Sequence, residues 1–306
     1  MNLKKPDFWL KKNILTIFLL PLTIITHVIN FIKKFSIKKK FKIKTICIGN
    51  IYVGGTGKTT LTILINQILK NKFKTVIIKK NYIDQNDEIN LLKKTGYVIS
   101  KEKRSLSLKL AEKKRFEVAL LDDGLQQKNI EYNLKIVCFN SSDFIGNGFV
   151  FPAGPLRESI NELKNYNIVF LNGEIKSSKV YKKLKSINKN LEIFEGKYSP
   201  LNLKDLNRNK KYIMFCGIGN PAEFENTLLK YKFKIKKQFI FADHYRFTDK
   251  EIISIKKIAK KNKLSIITTE KDFLRLNSKQ RKGINFLKIK LKIKNTNKLK
   301  KILFNI

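Results

Sequence analysis

At 306 residues and 42% apolar composition the chain can bury a large core, which excludes a disordered tail protein and a disulfide-stapled mini-domain. The formal net charge is +41, yet only seven of the 65 basic residues are arginine, and the lysines run the whole length beside abundant Ile and Asn. We read that charge as compositional, and no aromatic-rich recognition motif accompanies it, so no specific nucleic-acid partner is expected.

The first element is Ile14–Ile32, 19 residues without Lys, Arg, Asp or Glu, flanked by Lys11 and Lys12 before and Lys33, Lys34 and Lys38–Lys40 after. As a helix it would measure ~28 Å at ~1.5 Å per residue, close to the ~30 Å of a bilayer's hydrocarbon core. No cleavage-site pattern follows, so we expect a membrane anchor rather than a signal peptide. Pro21, His27, Asn30 and three threonines weaken a free-standing span, and lysine on both flanks leaves spanning and interfacial seating open.

The apolar run Thr45–Ile48 predicts a strand, and Leu61–Leu69 has helical spacing. Between them lie Gly49-Asn50-Ile51-Tyr52-Val53-Gly54-Gly55-Thr56-Gly57-Lys58-Thr59-Thr60. Strand, glycine-rich turn, then helix is the setting in which Gly-Lys-Thr cradles phosphates: glycines let the backbone N–H groups face the anion, and the helix N-terminus adds partial positive charge. We assign nucleotide binding to Tyr52, Val53, Gly54, Gly55, Thr56, Gly57, Lys58 and Thr59. Lys58 would reach the β/γ-phosphates, and Thr59 would ligate Mg²⁺. Tyr52 stands where this loop type usually has its first glycine.

Further strands are expected at Thr75–Ile78, Tyr97–Ile99, Glu117–Leu121, Ile136–Phe139 and Ile168–Leu171, with helices near Glu88–Lys94 and Leu106–Lys114. Asp122-Asp123-Gly124 ends the third of these strands, where a carboxylate holds Mg²⁺ directly or through water; a plain Asp-Gly turn is the alternative. Phe151-Pro152-Ala153-Gly154-Pro155-Leu156-Arg157-Glu158 is a rigid turn ending in an Arg–Glu pair, read either as bidentate phosphate recognition or as a structural ion pair.

A polar linker at 199–211 separates a second βα series: a strand at Tyr212–Cys216, a helix at Ala222–Leu229, a strand at Phe239–Phe241, a helix at Thr248–Lys261, and strands at Ser265–Thr268 and Ile284–Ile293. Asp243-His244-Tyr245-Arg246 and Thr268-Thr269-Glu270-Lys271-Asp272 are its polar clusters, structural or catalytic. Strands alternating with helices predict an α/β fold. We expect a P-loop NTPase-type doubly wound parallel sheet with a smaller C-terminal α/β domain and an N-terminal hydrophobic helix. The boundaries are 1–35 for the anchor, 36–198 for the phosphate-loop domain, 199–211 for the linker and 212–306 for the C-terminal domain. Cys47, Cys138 and Cys216, widely spaced in apolar runs, read as buried thiols, and with only two histidines no zinc site is expected.

The phosphate loop, Asp122-Asp123-Gly124-Leu125-Gln126, Pro152–Glu158, Gly217-Ile218-Gly219-Asn220-Pro221, Asp243-His244 and Thr268–Asp272, in that order behind a hydrophobic segment, resemble the tetraacyldisaccharide 4'-kinase family. The resemblance covers nearly the whole chain. It implies an ATP- and Mg²⁺-dependent kinase that phosphorylates the 4'-hydroxyl of an acylated glucosamine disaccharide 1-phosphate in lipid A biosynthesis, working as a monomer against lipids of the cytoplasmic face of the inner membrane. It further implies that Thr59, Asp122, Asp123 and Glu158 serve the metal, that Arg157 serves the substrate, and that Asp87 and His244 form a base dyad. Thr60 stands where the family has proline, Lys79-Lys80-Asn81-Tyr82 where it has Ser-Arg-Gly-Tyr, and Asn86 and Ile89 flank the expected base in place of Gly and Pro. The alternative is a membrane-associated P-loop partitioning ATPase, whose signature lysine would fall on Val53 and in which Pro152–Glu158 has no role.

Overall fold

The computed structural model describes residues 6–82, 86–173 and 177–306, with the side chains of Asn86 and Asp87 outside the described set. Helix α1 spans Ile14–Lys34. It opens with a reciprocal cap in which Asn13 Oδ1 accepts the Thr16 N–H (3.1 Å) and Thr16 Oγ1 accepts the Asn13 N–H (3.3 Å). Its polarity is the reverse of an ordinary surface helix. Thr16 and Thr23 are buried, whereas Ile14, Ile17, Phe18, Ile24, Ile25, Phe31 and Ile32 are exposed.

Then follow β1 (Lys44–Gly49), α2 (Lys58–Leu69), β2 (Thr75–Lys80), α3 (Asn86–Lys93), β3 (Val98–Lys101), α4 (Arg104–Lys113), β4 (Val118–Asp122), β5 (Leu134–Asn140), β6 (Ile168–Asn172), α5 (Ser178–Ile187) and β7 (Glu192–Pro200). The expected strands and helices are present, shifted by a few residues, and α5 and β7 join them. The second series is β8 (Lys211–Cys216), α6 (Pro221–Lys230), β9 (Lys234–Ile240), α7 (Asp249–Lys261), β10 (Ser265–Thr269), α8 (Glu270–Arg275), α9 (Ser278–Arg281), β11 (Ile284–Leu287), β12 (Ile289–Ile293) and α10 (Thr296–Phe304).

The large sheet has the order β12-β7-β6-β5-β1-β4-β2-β3, and β1 runs parallel to both neighbours, Ile46 opposite Leu120 on β4 and Leu134 on β5. Such strands are covered on both faces, which is why β1, β4 and β6 are nearly continuous apolar runs rather than alternating ones. Cys47, Ile78, Leu121, Val137 and Leu171 share one buried cluster on this sheet. The smaller sheet, β11-β10-β8-β9, is also parallel. Along β8 the side chains alternate between two cores: Tyr212, Met214 and Cys216 join Leu228 and Phe233, while Ile213 and Phe215 join Phe247, Ile252 and Ile255. The three cysteines are free and buried, and burial pushes the Cys47 and Cys216 thiols up to about 12.

Contacts divide the chain into two units. Lys5–Ile83, Leu92–Lys197 and Leu291–Ile306 form the first, and the second is built from Tyr198–Lys290 together with Asp84–Leu91. This differs from the expected boundaries at two places. The segment Ile284–Ile293, expected as one strand, breaks at Lys288, where the Lys288 N–H donates to Asn202 Oδ1 (2.8 Å) and its carbonyl accepts the Leu201 N–H (2.8 Å). β11 stays in the small sheet while β12 becomes the edge of the large one beside β7. The last helix, α10, follows β12 and packs on α2, where Phe304 meets the Phe73 ring edge-on at 6.3 Å. Residues from Leu291 onward therefore belong with the phosphate-loop unit and not with the C-terminal domain.

Candidate active site

The phosphate loop leaves the carboxyl end of β1, the central strand of the large sheet, where ligands collect in parallel α/β folds. Two of its glycines are needed for their backbone: Gly54 has φ +126° and Gly57, the residue before α2, φ +83°. Position 52 has no such need. Tyr52 pairs as an antiparallel bridge with Leu156, flanked by Val53 N–H donating to Pro155 O (2.8 Å) and Arg157 N–H donating to Ile51 O (2.6 Å). A residue in an extended ladder tolerates a side chain, so tyrosine replaces the customary glycine.

The same ladder delivers Arg157 and Glu158. Gly154 makes the turn before it possible, since a Cβ there would strike Asn147 Oδ1 and the Phe149 carbonyl. Arg157 and Glu158 then diverge. Arg157 Nη1 lies 3.2 Å from Asp123 Oδ1 and 3.2 Å from Gln126 Oε1. Buried Glu158 accepts from Lys128 Nζ (2.8 Å) and the Tyr166 hydroxyl (2.5 Å). Each has its own partners, so the reading of the two as a mutual ion pair gives way.

Asp122 and Asp123 differ as sharply. Asp122 ends β4, is fully buried, and lies 3.4 Å from Thr59 Oγ1, 3.5 Å from Thr62 Oγ1 and 2.8 Å from Lys79 Nζ. Asp123 leaves the strand with φ +59° and turns toward the phosphate loop, 3.8 Å from Lys58 Nζ. Burial raises the Asp123 pKa, but Lys58, Arg157, Lys79 and Arg104 together outweigh it and hold the carboxyl below the ordinary aspartate range. The turn itself is fixed by Arg104, whose Nη2 donates to the Asp123 carbonyl (2.6 Å). Beside Asp123 and Arg157 opens a hollow of about 430 Å³, lined also by Lys80, Tyr82, Glu102, Lys103, Arg104 and Gln126, in which basic side chains outnumber acidic ones. Lys79, Arg104, Gln126 and Lys128 are the members that sequence reasoning missed. The scarcity of arginine was a usable signal for Arg104. Lys79 pairs in register with Asp122 across β2 and β4, which only the topology reveals.

The second cluster lies in the other unit. His244, with φ +59°, donates its N–H to Gly217 O (3.2 Å), and its Nδ1 lies 3.4 Å from Arg275 Nη2. Arg275 donates to Gly217 O (2.6 Å) and Asp272 Oδ1 (2.7 Å), and Asp272 Oδ2 accepts the Gly217 N–H (3.1 Å) and the Thr269 hydroxyl (2.7 Å). The motifs around Gly217, His244 and Asp272 thus meet at the carboxyl ends of β8 and β10. Glu88 of α3 joins them, 3.8 Å from His244 Nε2 and 2.6 Å from Lys271 Nζ. Asp87 precedes Glu88 in the first turn of α3; its side chain lies outside the described residues.

A family model described as tetraacyldisaccharide-1-P 4'-kinase matches residues 15–306 of this chain. The chain belongs to the tetraacyldisaccharide 4'-kinase family. It is 47% identical to the tetraacyldisaccharide 4'-kinase of Pelagibacter ubique (strain HTCC1062), covering 99% of both chains. It is 31% identical to that of Rickettsia canadensis (strain McKiel), covering 99% of this chain and 98% of the relative. A solved structure of LpxK from Aquifex aeolicus in complex with ATP shares the fold, with a TM-score of 0.72 and 24% identity over 95% of this chain and 99% of that one. The protein is therefore a tetraacyldisaccharide 4'-kinase of lipid A biosynthesis, acting on a glycolipid, and the partitioning-ATPase alternative is set aside.

Proposed function

We propose that this kinase binds ATP with Mg²⁺ on the loop from Tyr52 to Thr59 and transfers the terminal phosphate to an acceptor held beside Asp123 and Arg157. The observation that carries this reading is the convergence of Lys58, Thr59, Asp122, Asp123 and Arg157 at the carboxyl ends of β1 and β4. Lys58 and the loop amides would grip the phosphates, and Arg157 would face charge developing on the transferred group. The residues also fit a metal that arrives with its nucleotide. The Thr59 hydroxyl and the Asp122 carboxylate lie together, and the buried Thr56 Oγ1 has no hydrogen-bond partner among the described residues. Among those residues no three His, Cys, Asp or Glu side chains gather to hold a metal by themselves, so nucleotide oxygens would complete the shell. Thr59 and Asp122 would hold Mg²⁺, with Asp123 and Glu158 organising the site around it; the ion, when bound, offsets phosphate charge.

His244 and Asp87 would take the proton of the attacking sugar hydroxyl. The motif residues Arg275, Asp272 and Gly217 fix the His244 ring and backbone.

Helix α1 would lie in the interface of the cytoplasmic leaflet rather than cross it. Its exposed apolar face and the lysines at 33 and 38–40 suit an anionic lipid surface. Its other face is already spent on the protein: Thr26 Oγ1 donates to Phe151 O (2.7 Å) and Lys34 pairs with Glu162 (2.6 Å). A glycolipid acceptor explains why a kinase would seat itself there. The deciding experiment follows phosphate from labelled ATP onto a purified disaccharide 1-phosphate in mixed micelles. Transfer that needs Mg²⁺ and is lost in Lys58→Ala supports the reading, and undiminished transfer by that variant would overturn it.

A further inference from the structure

We propose that α1 is more than an anchor: through Asn30, and secondarily Thr26, it positions Arg157 for phosphoryl transfer. This rests on the roles just given to Arg157 and to α1.

The inward side of α1 is a stripe at Thr16, Leu19, Leu20, Thr23, Thr26 and Asn30, the positions that are buried or half-buried. Three of them, Thr16, Thr23 and Asn30, repeat every seven residues, the spacing that keeps one helix face against one partner. Two members of the stripe, Thr26 and Asn30, reach the turn carrying Arg157. Asn30 Nδ2 donates to the Arg157 carbonyl (2.9 Å), Thr26 Oγ1 to the Phe151 carbonyl (2.7 Å), and Trp9 Nε1, just before the helix, to the Pro152 carbonyl (3.1 Å). These donors lie on the side of the segment that faces the protein, so their use is in holding the turn.

The opposite edge of the same turn is held by the phosphate loop, through Arg157 N–H to Ile51 O (2.6 Å) and Val53 N–H to Pro155 O (2.8 Å). The peptide units around Arg157 are thus clamped between two elements. The N–H belongs to the nucleotide loop, the carbonyl to the lipid-facing helix, and the guanidinium reaches Asp123. A shift of α1 must move the Arg157 main chain, and misplacement of a positioning group by ~1 Å can cost ~10²-fold in rate. Asn30 touches neither nucleotide nor acceptor in this scheme. It is a positioning residue.

The test uses full-length enzyme with acceptor in vesicles of phosphatidylethanolamine and phosphatidylglycerol. Asn30→Leu removes the donor and keeps the helix apolar. We expect vesicle binding to be retained, KM for ATP to be unchanged, and kcat to fall about tenfold, within the range expected for lost alignment. Asn30→Gln, which restores an amide, should recover part of that loss. In an Arg157→Ala background Asn30→Leu should have little further effect, because the two act in series. The proposal is overturned if Asn30→Leu keeps kcat within twofold, if its loss tracks only the folded fraction measured by circular dichroism, or if its effect multiplies in full with that of Arg157→Ala. Phe18→Ser, on the exposed face, tests the underlying membrane seat separately by its loss of vesicle binding. Binding retained there would refute the seat, and the Asn30 and Arg157 cycle would still decide the positioning.

Discussion

Lys79 and Asp122 form a buried ion pair at the heart of the phosphate-loop unit, Nζ to Oδ2 at 2.8 Å, with 3% and 0% of the side chains exposed. They face each other because β2 and β4 pair in register at these residues. A buried pair returns little net stability compared with an apolar pair of the same size, but removing one partner strands the other charge. Lys79→Met should therefore lower unfolding stability by ~3–5 kcal/mol in a urea titration, and Lys79→Met with Asp122→Asn should recover most of it. A single-variant cost below ~1 kcal/mol, the level of a surface pair, would mean that the carboxylate does not depend on Lys79.

Lys58 begins α2 behind a left-handed glycine and stands 3.8 Å from Asp123. Its ammonium is held beside that carboxylate at the start of the helix that follows the loop. Lys58→Ala should reduce kcat/KM by ~10²–10³ or more, the scale of losing one preorganised electrostatic contact to a developing charge. Steady-state transfer assays check this, and thermal melts should show the variant folded, since the residue is not part of the core.

Much of this site could be read from local patterns, and the unread part is non-local. The loop was legible because glycine, lysine and threonine spacing encodes its backbone directly. The two adjacent acids after an apolar strand were legible for the same reason. Tyr52 could not be reconciled with a glycine position until the ladder to Leu156 appeared, since that ladder joins segments a hundred residues apart. Lys79 looked like any strand-end lysine among many. Its meaning comes from strand order, which periodicity does not contain. The break at Lys288 was hidden likewise: the continuous alternation of Leu287–Ile293 conceals a change of sheet at a residue that Asn202 holds from elsewhere in the chain.

Asp123 makes a pH prediction with a definite sign. Its folded-state pKa is depressed, by Lys58, Arg157, Lys79 and Arg104 acting against burial. A depressed carboxyl stabilises the fold above its unfolded pKa of ~3.9, and that stabilisation is lost as pH falls through the lower folded value. Urea midpoints of the wild type should therefore drop more steeply below about pH 4 than those of Asp123→Asn. Parallel curves for the two proteins would show that Asp123 has no such coupling. Arg157→Ala should move the wild-type drop to higher pH, because one of the depressing charges is gone.

His244 can be tested without confusing chemistry with folding, because its backbone dictates the right substitution. At φ +59° alanine is strained, whereas asparagine adopts the left-handed region readily. His244→Asn should therefore keep the melting temperature near that of the wild type while removing the proton acceptor. If the imidazole serves the sugar hydroxyl, kcat should fall by ~10²–10⁴, the usual contribution of general base catalysis. The KM for ATP should hold, since Gly217, Arg275, Asp243 and Glu88, which His244 meets, are not residues of the phosphate loop. Arg275→Lys offers a finer probe. It retains the charge near Asp272 but loses the guanidinium fork that meets Gly217 O, Asp272 and His244 Nδ1 at once. A ring released from that fork would lower kcat and leave the fold intact. Equal activity per folded molecule in both variants would make the cluster a structural brace, joining α8 to the turn after β8, and the proton would have to leave by another route.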